Sequence, residues 1–335
     1  MPELRKDPVV GRWVIISTER GRRPTDFQRE PVRARGDNCV FCPGNEDRTP
    51  PEIIAGRPSN SPPNTPGWTY RVVANKFPAL RIEGELEPTG EGLFDRMNGV
   101  GAHEVVIETP DHQGSLATMS TEAIAEVLLA FRDRMVDLKK DPRFEYVLVF
   151  KNHGEAAGAS LEHPHSQLIA TPILPIMVTE ELEGSLKYWE LKERCVWCDI
   201  IRQERRSRQR VILESGGFVA LAPFAPRFPF ETWILPTHHS AAFEESDVDE
   251  LRGLAALLGE FMRRLSDTLN APPFNFMLHT APLRTEDLDY FHWHLEVIPK
   301  LANVAGFEWG SGFFINPMPP ESAAGALRGE RDDAG

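Results

Sequence analysis

The chain has 335 residues, 41% of them apolar, with 37 lysines and arginines against 50 aspartates and glutamates, for a net charge of −13. That length allows one large or two ordinary domains around a substantial core. The charge argues against a nucleic-acid partner but leaves room for a local basic pocket that takes a phosphate. No apolar run follows the charges of MPELRKDPVVGRW and none approaches 18 residues anywhere, so the expectation is a cytoplasmic protein without a membrane span.

In chain order, the first marked feature is Cys39-x-x-Cys42 in NCVFCPGN, followed by a proline-rich loop, RPSNSPPNTPGW, at 57–68. HEVVIETP reads as a strand leading to His112, and His103 at its start is read as a core or surface histidine. Residues 120–140 carry Ile124, Val127, Leu128 and Phe131 at helical spacing, with Thr118 or Ser120 as N-cap. FEYVLVFKN reads as a second strand. The small-residue loop KNHGEAAGAS then leads into SLEHPHSQLIATP, where His163 and His165 flank a proline and Gln167 follows in step.

A polar, helix-like stretch, TEELEGSLKYWELKER, comes next, and the order then repeats. Cys195-x-x-Cys198 precedes the strand-like ETWILPT and His239. A helical segment at 245–270 carries Leu251, Leu254, Leu257 and Leu258, with Ser246 as N-cap. FNFMLHT and the pair His292 and His294 follow. His112 to His163 spans 51 residues (163 − 112), and His239 to His292 spans 53 (292 − 239). Each half reads strand, helix, strand, strand around a cysteine loop. The expected fold is therefore α+β: two modules, 1–175 and 176–335, each a mainly antiparallel sheet with flanking helices, related by an internal repeat. GERDDAG is expected to be a frayed tail.

The four cysteines lie only in these two pairs, which in a cytoplasmic chain points to zinc before disulfides. Two thiolates and two imidazoles complete a tetrahedron. The expected sites are Cys39, Cys42, His112 and His163, then Cys195, Cys198, His239 and His292, both structural, with His238 or His294 as substitutes in the second. With His163 assigned to metal, His165 is left over. It shares a strand face with Gln167, and Pro164 stiffens the link between the two histidines. A neutral imidazole beside a small-residue loop suits nucleophilic attack at phosphorus, with Gln167 donating to a phosphoryl oxygen.

These residues together resemble the galactose-1-phosphate uridylyltransferases of the histidine-triad superfamily. The resemblance runs through RRPTDF, the first cysteine pair, VVANKFPAL, IETPDH, FKNHGEAAGASLEHPHSQ, PFAPRFPFETWILP and HWHLEVIP. It implies two histidine-triad-like modules and a ping-pong exchange. UDP-glucose would leave UMP on His165, glucose-1-phosphate would depart, and galactose-1-phosphate would collect the UMP. It further implies that Asn152 and Ser160 contact phosphates, that Gln167 holds the intermediate, and that Arg23, Asn75 and Phe77 lie near the nucleotide. A homodimer with its active site close to the subunit interface is implied as well.

Two departures stand out. Typical bacterial members build their second metal site from histidines and a glutamate that matches Glu181, whereas the second cysteine pair here resembles the branch with the plant ADP-glucose phosphorylase. Typical members also carry lysine, tyrosine and glutamate after the last strand. This chain reads GFEWGSGFFINP there, with Gly306, Ser311 and Gly312 at those places and Gly310 nearby. The expected activity is thus a UDP-glucose:hexose-1-phosphate uridylyltransferase. The alternatives are an ADP-glucose phosphorylase or adenylyltransferase of the same mechanism, or a zinc-stabilised nucleotide-binding protein without turnover, which the intact His165 and Gln167 count against. His294 and Glu296 hold the places of His165 and Gln167 in the second half. TAPLRTED there is neither small nor glycine-rich, so no second nucleophile is expected.

Overall fold

The computed structural model describes residues 2–17, 38–285 and 288–330; Arg23, the RRPTDF stretch and residues 331–335 of the tail lie outside them. The strands in the first half are β1 (Glu3–Lys6), β2 (Trp13–Ile16), β3 (Glu52–Gly56), β4 (Tyr70–Ala74), β5 (Thr89–Glu91), β6 (Phe94–Arg96) and β7 (Ala102–Ile107). Then come α1 (Thr121–Leu138), β8 (Tyr146–His153), β9 (His165–Thr171), α2 (Ile176–Lys192) and α3 (Val196–Ser207). β10 (Val211–Ser215), β11 (Phe218–Leu221), β12 (Thr232–Pro236), α4 (Val248–Leu269), β13 (Phe274–His279) and β14 (His294–Pro299) follow. α5 (Gly306–Ser311), β15 (Phe314–Asn316) and α6 (Pro320–Arg328) close the chain.

Ten strands form one sheet in the order β10-β11-β12-β14-β13-β8-β9-β7-β4-β3, and every neighbouring pair is antiparallel. Its centre is the pairing of β8 with β13, from Phe274↔His153 to Leu278↔Val149. Reading outward gives β8-β9-β7-β4-β3 one way and β13-β14-β12-β11-β10 the other. Each half thus has two outer strands beyond the three read from sequence. β3 and β4 are short and separated by the proline-rich loop, while β10 and β11 meet at Gly216-Gly217, whose φ of 57° and 83° suit a two-residue hairpin turn. β1, β2 and β15 form a separate small sheet.

Alternation along the strands gives the sheet two different faces. On one, Val106, Val149, Leu168, Ile234, Phe276, Leu278, Leu295 and Val297 pack in a common core with Leu128, Phe131, Leu254, Leu258 and Phe261 of α1 and α4. Truncating Phe131 or Phe261 to alanine there would cost about 3–5 kcal/mol. Ser120 caps α1 by accepting from the Ala123 N–H. α4 is capped by Asp247 rather than by Ser246: its carboxylate accepts from Asp249 and Glu250 N–H, and Glu250 returns the bond to Asp247 N–H. A charged acceptor at a helix N-terminus also gains from the helix dipole, which serine lacks.

The opposite face carries the polar chemistry. The registers Val105↔Gln167, Phe150↔Gln167, Met277↔Phe150, Met277↔Glu296 and His279↔His294 put His103, His165, Gln167, Asn152, His279, His294 and Glu296 on it. Two small apolar clusters sit here, one around Phe41, Trp68, Val105 and Ile107, the other around Trp197, Val219, Leu221 and Trp233. Phe41 and Trp197 are each the third residue of a cysteine pair. Each loop is thus plugged into the sheet by one aromatic ring. The glycine-rich segment after β14 forms the short helix α5, with Gly312 at φ 69° ending it.

Candidate active site and metal centres

All eight residues read as metal ligands come together in two sets of four. In each set one nitrogen or sulfur atom per residue lies within 4.8 Å of the others. In the first, His112 Nδ1 is 3.4 Å from Cys42 Sγ, and His163 Nδ1 is 3.7 and 3.6 Å from Cys39 and Cys42 Sγ. A tetrahedral zinc with bonds of about 2.3 Å to sulfur and about 2.0 Å to nitrogen sets those atoms about 3.5 Å apart. In the second, Cys198 Sγ is 3.5 Å from His239 Nδ1 and 3.7 Å from His292 Nδ1.

The far ring nitrogens settle the tautomers. His163 Nε2–H donates to the Thr109 carbonyl at 2.8 Å, His292 Nε2–H to Pro236 at 3.0 Å, and His239 Nε2–H to Leu288 at 3.3 Å. Each Nδ1 lone pair is therefore turned to the sulfurs, as a metal ligand requires. Burial, then the neighbouring Cys39, pushes the Cys42 thiol up to about 11, a penalty that a bound cation removes by taking the thiolate. His238 is exposed and pairs with Glu250 at 3.0 Å, and His294 lies in a different cluster. Neither stands in for His239.

His165 begins β9 directly after this first set. Its Nδ1–H donates to the His163 carbonyl at 2.8 Å, which leaves Nε2 as the nitrogen with the lone pair. Burial, then the Lys151 charge, holds the imidazole below its ordinary pKa. Lys151 Nζ bonds both Glu108 oxygens at 2.8 Å and the His165 carbonyl at 3.0 Å, and Ser166 Oγ donates to Glu108 at 2.5 Å. This buried group clamps the backbone of the histidine turn from behind. Phe41 meets His165 edge-on, with ring centres 5.5 Å apart.

Gln167 shares the face with His165, and its Oε1 is 2.8 Å from His103 Nε2. His103 was read as a bystander; in the structure it touches both Gln167 and the Asn75 segment. The clue available in sequence was that His103 and Gln167 both belong to strand-like runs with period two. Asn75 Oδ1 accepts from Phe77 N–H at 2.9 Å, and the Phe77 ring is 84% exposed. Asn152 lies two residues beyond Phe150, the cross-strand partner of Gln167. Its Oδ1 accepts from Asn275 Nδ2, which also reaches the Ala157 carbonyl, both at 2.8 Å. Asn275, on β13, thus ties the small-residue loop to β8. Gly154 and Gly158 in this loop sit at φ 82° and 88°, where a side chain would be strained. Ser160 is exposed at the loop's end.

A third cluster lies under the second half; its Glu181 and His294 are named in the sequence reading, but His279 is not. Glu181, His279 and His294 bring ligand-capable atoms within 4.8 Å of one another. His279 Nδ1 is 3.0 Å from Glu181 and its Nε2 3.7 Å from Glu296, which Arg227 grips in a short ion pair. Burial alone would lower the His279 pKa, but the Glu181 charge outweighs it and raises it to about 10. The same three side chains could also hold a cation.

A family model described as galactose-1-phosphate uridyl transferase, N-terminal domain, matches residues 1–175, and one described as a domain of unknown function matches 100–328. The chain is 39% identical to an ADP-glucose phosphorylase of Arabidopsis thaliana over 98% of this chain and 92% of that one. It is 31% identical to a galactose-1-phosphate uridylyltransferase of Thermotoga maritima over 98% of each. A crystal structure of an Arabidopsis thaliana ADP-glucose phosphorylase with bound ADP-glucose superposes with a TM-score of 0.83 at 37% identity, covering 98% of this chain and 99% of that one. On a family model spanning just over half its length and relatives matched nearly end to end, the chain belongs to the galactose-1-phosphate uridylyltransferase family of nucleotidyltransferases.

Proposed function

We propose that this enzyme moves a nucleotidyl group from a nucleoside-diphosphate sugar to a phosphate-bearing acceptor through a covalent bond to His165 Nε2. The observation that carries this is the 2.8 Å hydrogen bond from His165 Nδ1 to the His163 carbonyl, which keeps the proton on Nδ1 and the lone pair on Nε2. Nε2 attacks the α-phosphorus, the bond to the bridging oxygen breaks, and the sugar 1-phosphate leaves with the electron pair. A phosphate oxygen of the acceptor then attacks the same phosphorus and returns His165 to its starting state. Gln167 donates to a non-bridging oxygen as charge builds there. Arg23, Asn75, Phe77, Asn152 and Ser160 are the proposed substrate contacts.

Zinc is the proposed metal of both cysteine–histidine sets, because four soft or borderline ligands with no open position suit a structural ion. In the first set it would hold His163, and so the carbonyl that orients His165. The two halves, 1–175 and 176–335, are proposed to be histidine-triad-like modules related by an internal repeat; the mirrored strand order supports this. Exposed Phe77, Leu93, Phe94 and Trp309 support a homodimer, which sedimentation would test. Among the described residues no helix is long and apolar enough to cross a membrane.

The leading reading of the substrates is UDP-glucose with a hexose 1-phosphate such as galactose 1-phosphate as acceptor. A second reading, ADP-glucose with phosphate as acceptor, is favoured by the second cysteine pair, by glycines at 306, 310 and 312, and by the 39% identity to an ADP-glucose phosphorylase. Intact-mass measurement after brief mixing with UDP-glucose, and separately with ADP-glucose, tests both. A UMP adduct on His165 supports the first and an AMP adduct alone the second. No adduct with either donor would overturn covalent transfer.

A further inference from the structure

Two contacts of His103 fix its tautomer. The Ala79 backbone N–H, which can only donate, lies 3.1 Å from His103 Nδ1, so Nδ1 is the acceptor and carries no proton. The proton of the neutral ring is then on Nε2, 2.8 Å from Gln167 Oε1. A backbone amide in the loop after β4 thus dictates, through one imidazole, which end of the Gln167 amide faces His103. Among the described residues Gln167 makes no other side-chain hydrogen bond. That leaves the NH2 as the end of the amide not bonded to His103, on the sheet face Gln167 shares with His165. Asn75 Oδ1 accepts from Phe77 N–H, and its Nδ2 lies 3.0 Å from His103 Nε2 as a second donor, so it takes no hydrogen bond from the protonated ring nitrogen.

We propose that His103 is a positioning residue: it fixes the Gln167 amide with oxygen toward the His103 ring and NH2 toward the transferred phosphoryl group, and ties that orientation to the backbone of the Asn75–Ala79 segment. This rests on the covalent-transfer reading above. Without His103 the amide is free to rotate, and half of its orientations present oxygen, a repulsive group, to a phosphoryl oxygen. His103 also holds Asn75 through its backbone, since Asn75 N–H donates to the His103 carbonyl at 2.8 Å. That bond survives any side-chain substitution, so the strand pairing does not depend on the ring.

The test is single-turnover adduct formation, followed by quenched intact-mass measurement with whichever donor labels wild type, in a double-mutant cycle. His103→Phe is expected to slow adduct formation about tenfold to a hundredfold, with metal content and melting temperature close to wild type. His103→Gln, which can keep a donor near the place of Nε2, is expected to recover part of the rate. In a Gln167→Ala background, His103→Phe is expected to have little further effect, because the group through which it acts is gone. Adduct formation by His103→Phe at the wild-type rate would overturn the proposal while leaving covalent transfer intact. So would an equal slowing in both backgrounds. A wild-type protein that forms no adduct would overturn the transfer reading and this one with it.

Discussion

His165 and His294 occupy matching places, each starting a strand two residues after a cluster histidine, with its Nδ1 bonded back to that histidine's carbonyl. Their surroundings diverge from there. Phe41 touches only the edge of the His165 ring at 5.5 Å, while His294 is sandwiched between Trp197 at 4.2 Å and His279 at 4.6 Å. Gln167, a neutral donor, stands two residues beyond His165. Glu296, a carboxylate held by Arg227 and close to His279, stands two residues beyond His294. A phosphoryl group brought to the second position would meet a carboxylate already paired with Arg227, not a free donor, and a closed ring stack. The strand framework and the cysteine–histidine set serve both halves alike; reactivity follows from what shares the sheet face with the second histidine.

The sharpest break between the halves is the nucleophile itself. His165→Ala is expected to lower adduct formation by on the order of 10⁴-fold or more, while His294→Ala leaves it within about tenfold. A His294→Ala protein that folds but forms no adduct would sink the contrast.

Metal removal divides the halves next. Cys42→Ser and Cys198→Ser are each expected to lose one equivalent of zinc by elemental analysis and to lower the melting temperature. Only Cys42→Ser is expected to slow adduct formation as well, because its set holds the carbonyl that orients His165. Equal slowing by both would mean that the second set also supports the chemistry.

Buried ion pairs offer a third cut. Lys151→Met and Arg227→Met each strand a buried carboxylate, Glu108 or Glu296, and are expected to cost about 3–5 kcal/mol in denaturant unfolding. Lys151→Met is also expected to slow the chemistry, since Lys151 holds the His165 carbonyl. An unchanged rate in a folded Lys151→Met protein would confine that clamp to stability.

The smallest effect concerns the tie between the two ends of the chain. Burial would raise the Glu321 carboxyl, but hydrogen bonds from Arg5 and Arg210 hold it below its ordinary value. Its contribution is therefore fully present above the ordinary carboxylate pKa and is lost as pH falls through the depressed folded value. Wild type is expected to lose about 0.5–1 kcal/mol more than Glu321→Gln on that acid side, screened because the group is partly exposed. Identical acid profiles would remove Glu321 from the ledger of ties.

Helices α1, α2 and α4, the central strands and both ligand sets were legible in the chain because each rests on local rules; α3, α5 and α6 were not. Period 3.6 and period 2 mark the elements, and thiolates and imidazoles are scarce enough for their spacing to stand out. Asp247 was missed as the cap of α4 because Ser246 and Asp247 are both good caps and only the return bond from Glu250 distinguishes them. The outer strands were missed because they are short and carry little period.

By itself, then, the sequence determined which cysteines and histidines gather into two metal-capable sets, which histidine is left over, and that the pattern occurs twice. Only the tertiary structure decided that the halves join across β8 and β13 into one sheet. Only it decided that His103 reaches Gln167, or that Trp197 and His279 close over His294 while His165 keeps its Nε2 lone pair. Apart from the His165 bond to His163, those outcomes depend on strand register and on contacts between residues from fifteen to more than a hundred positions apart. No local period or spacing encodes such contacts, and the packing of the whole sheet selects them.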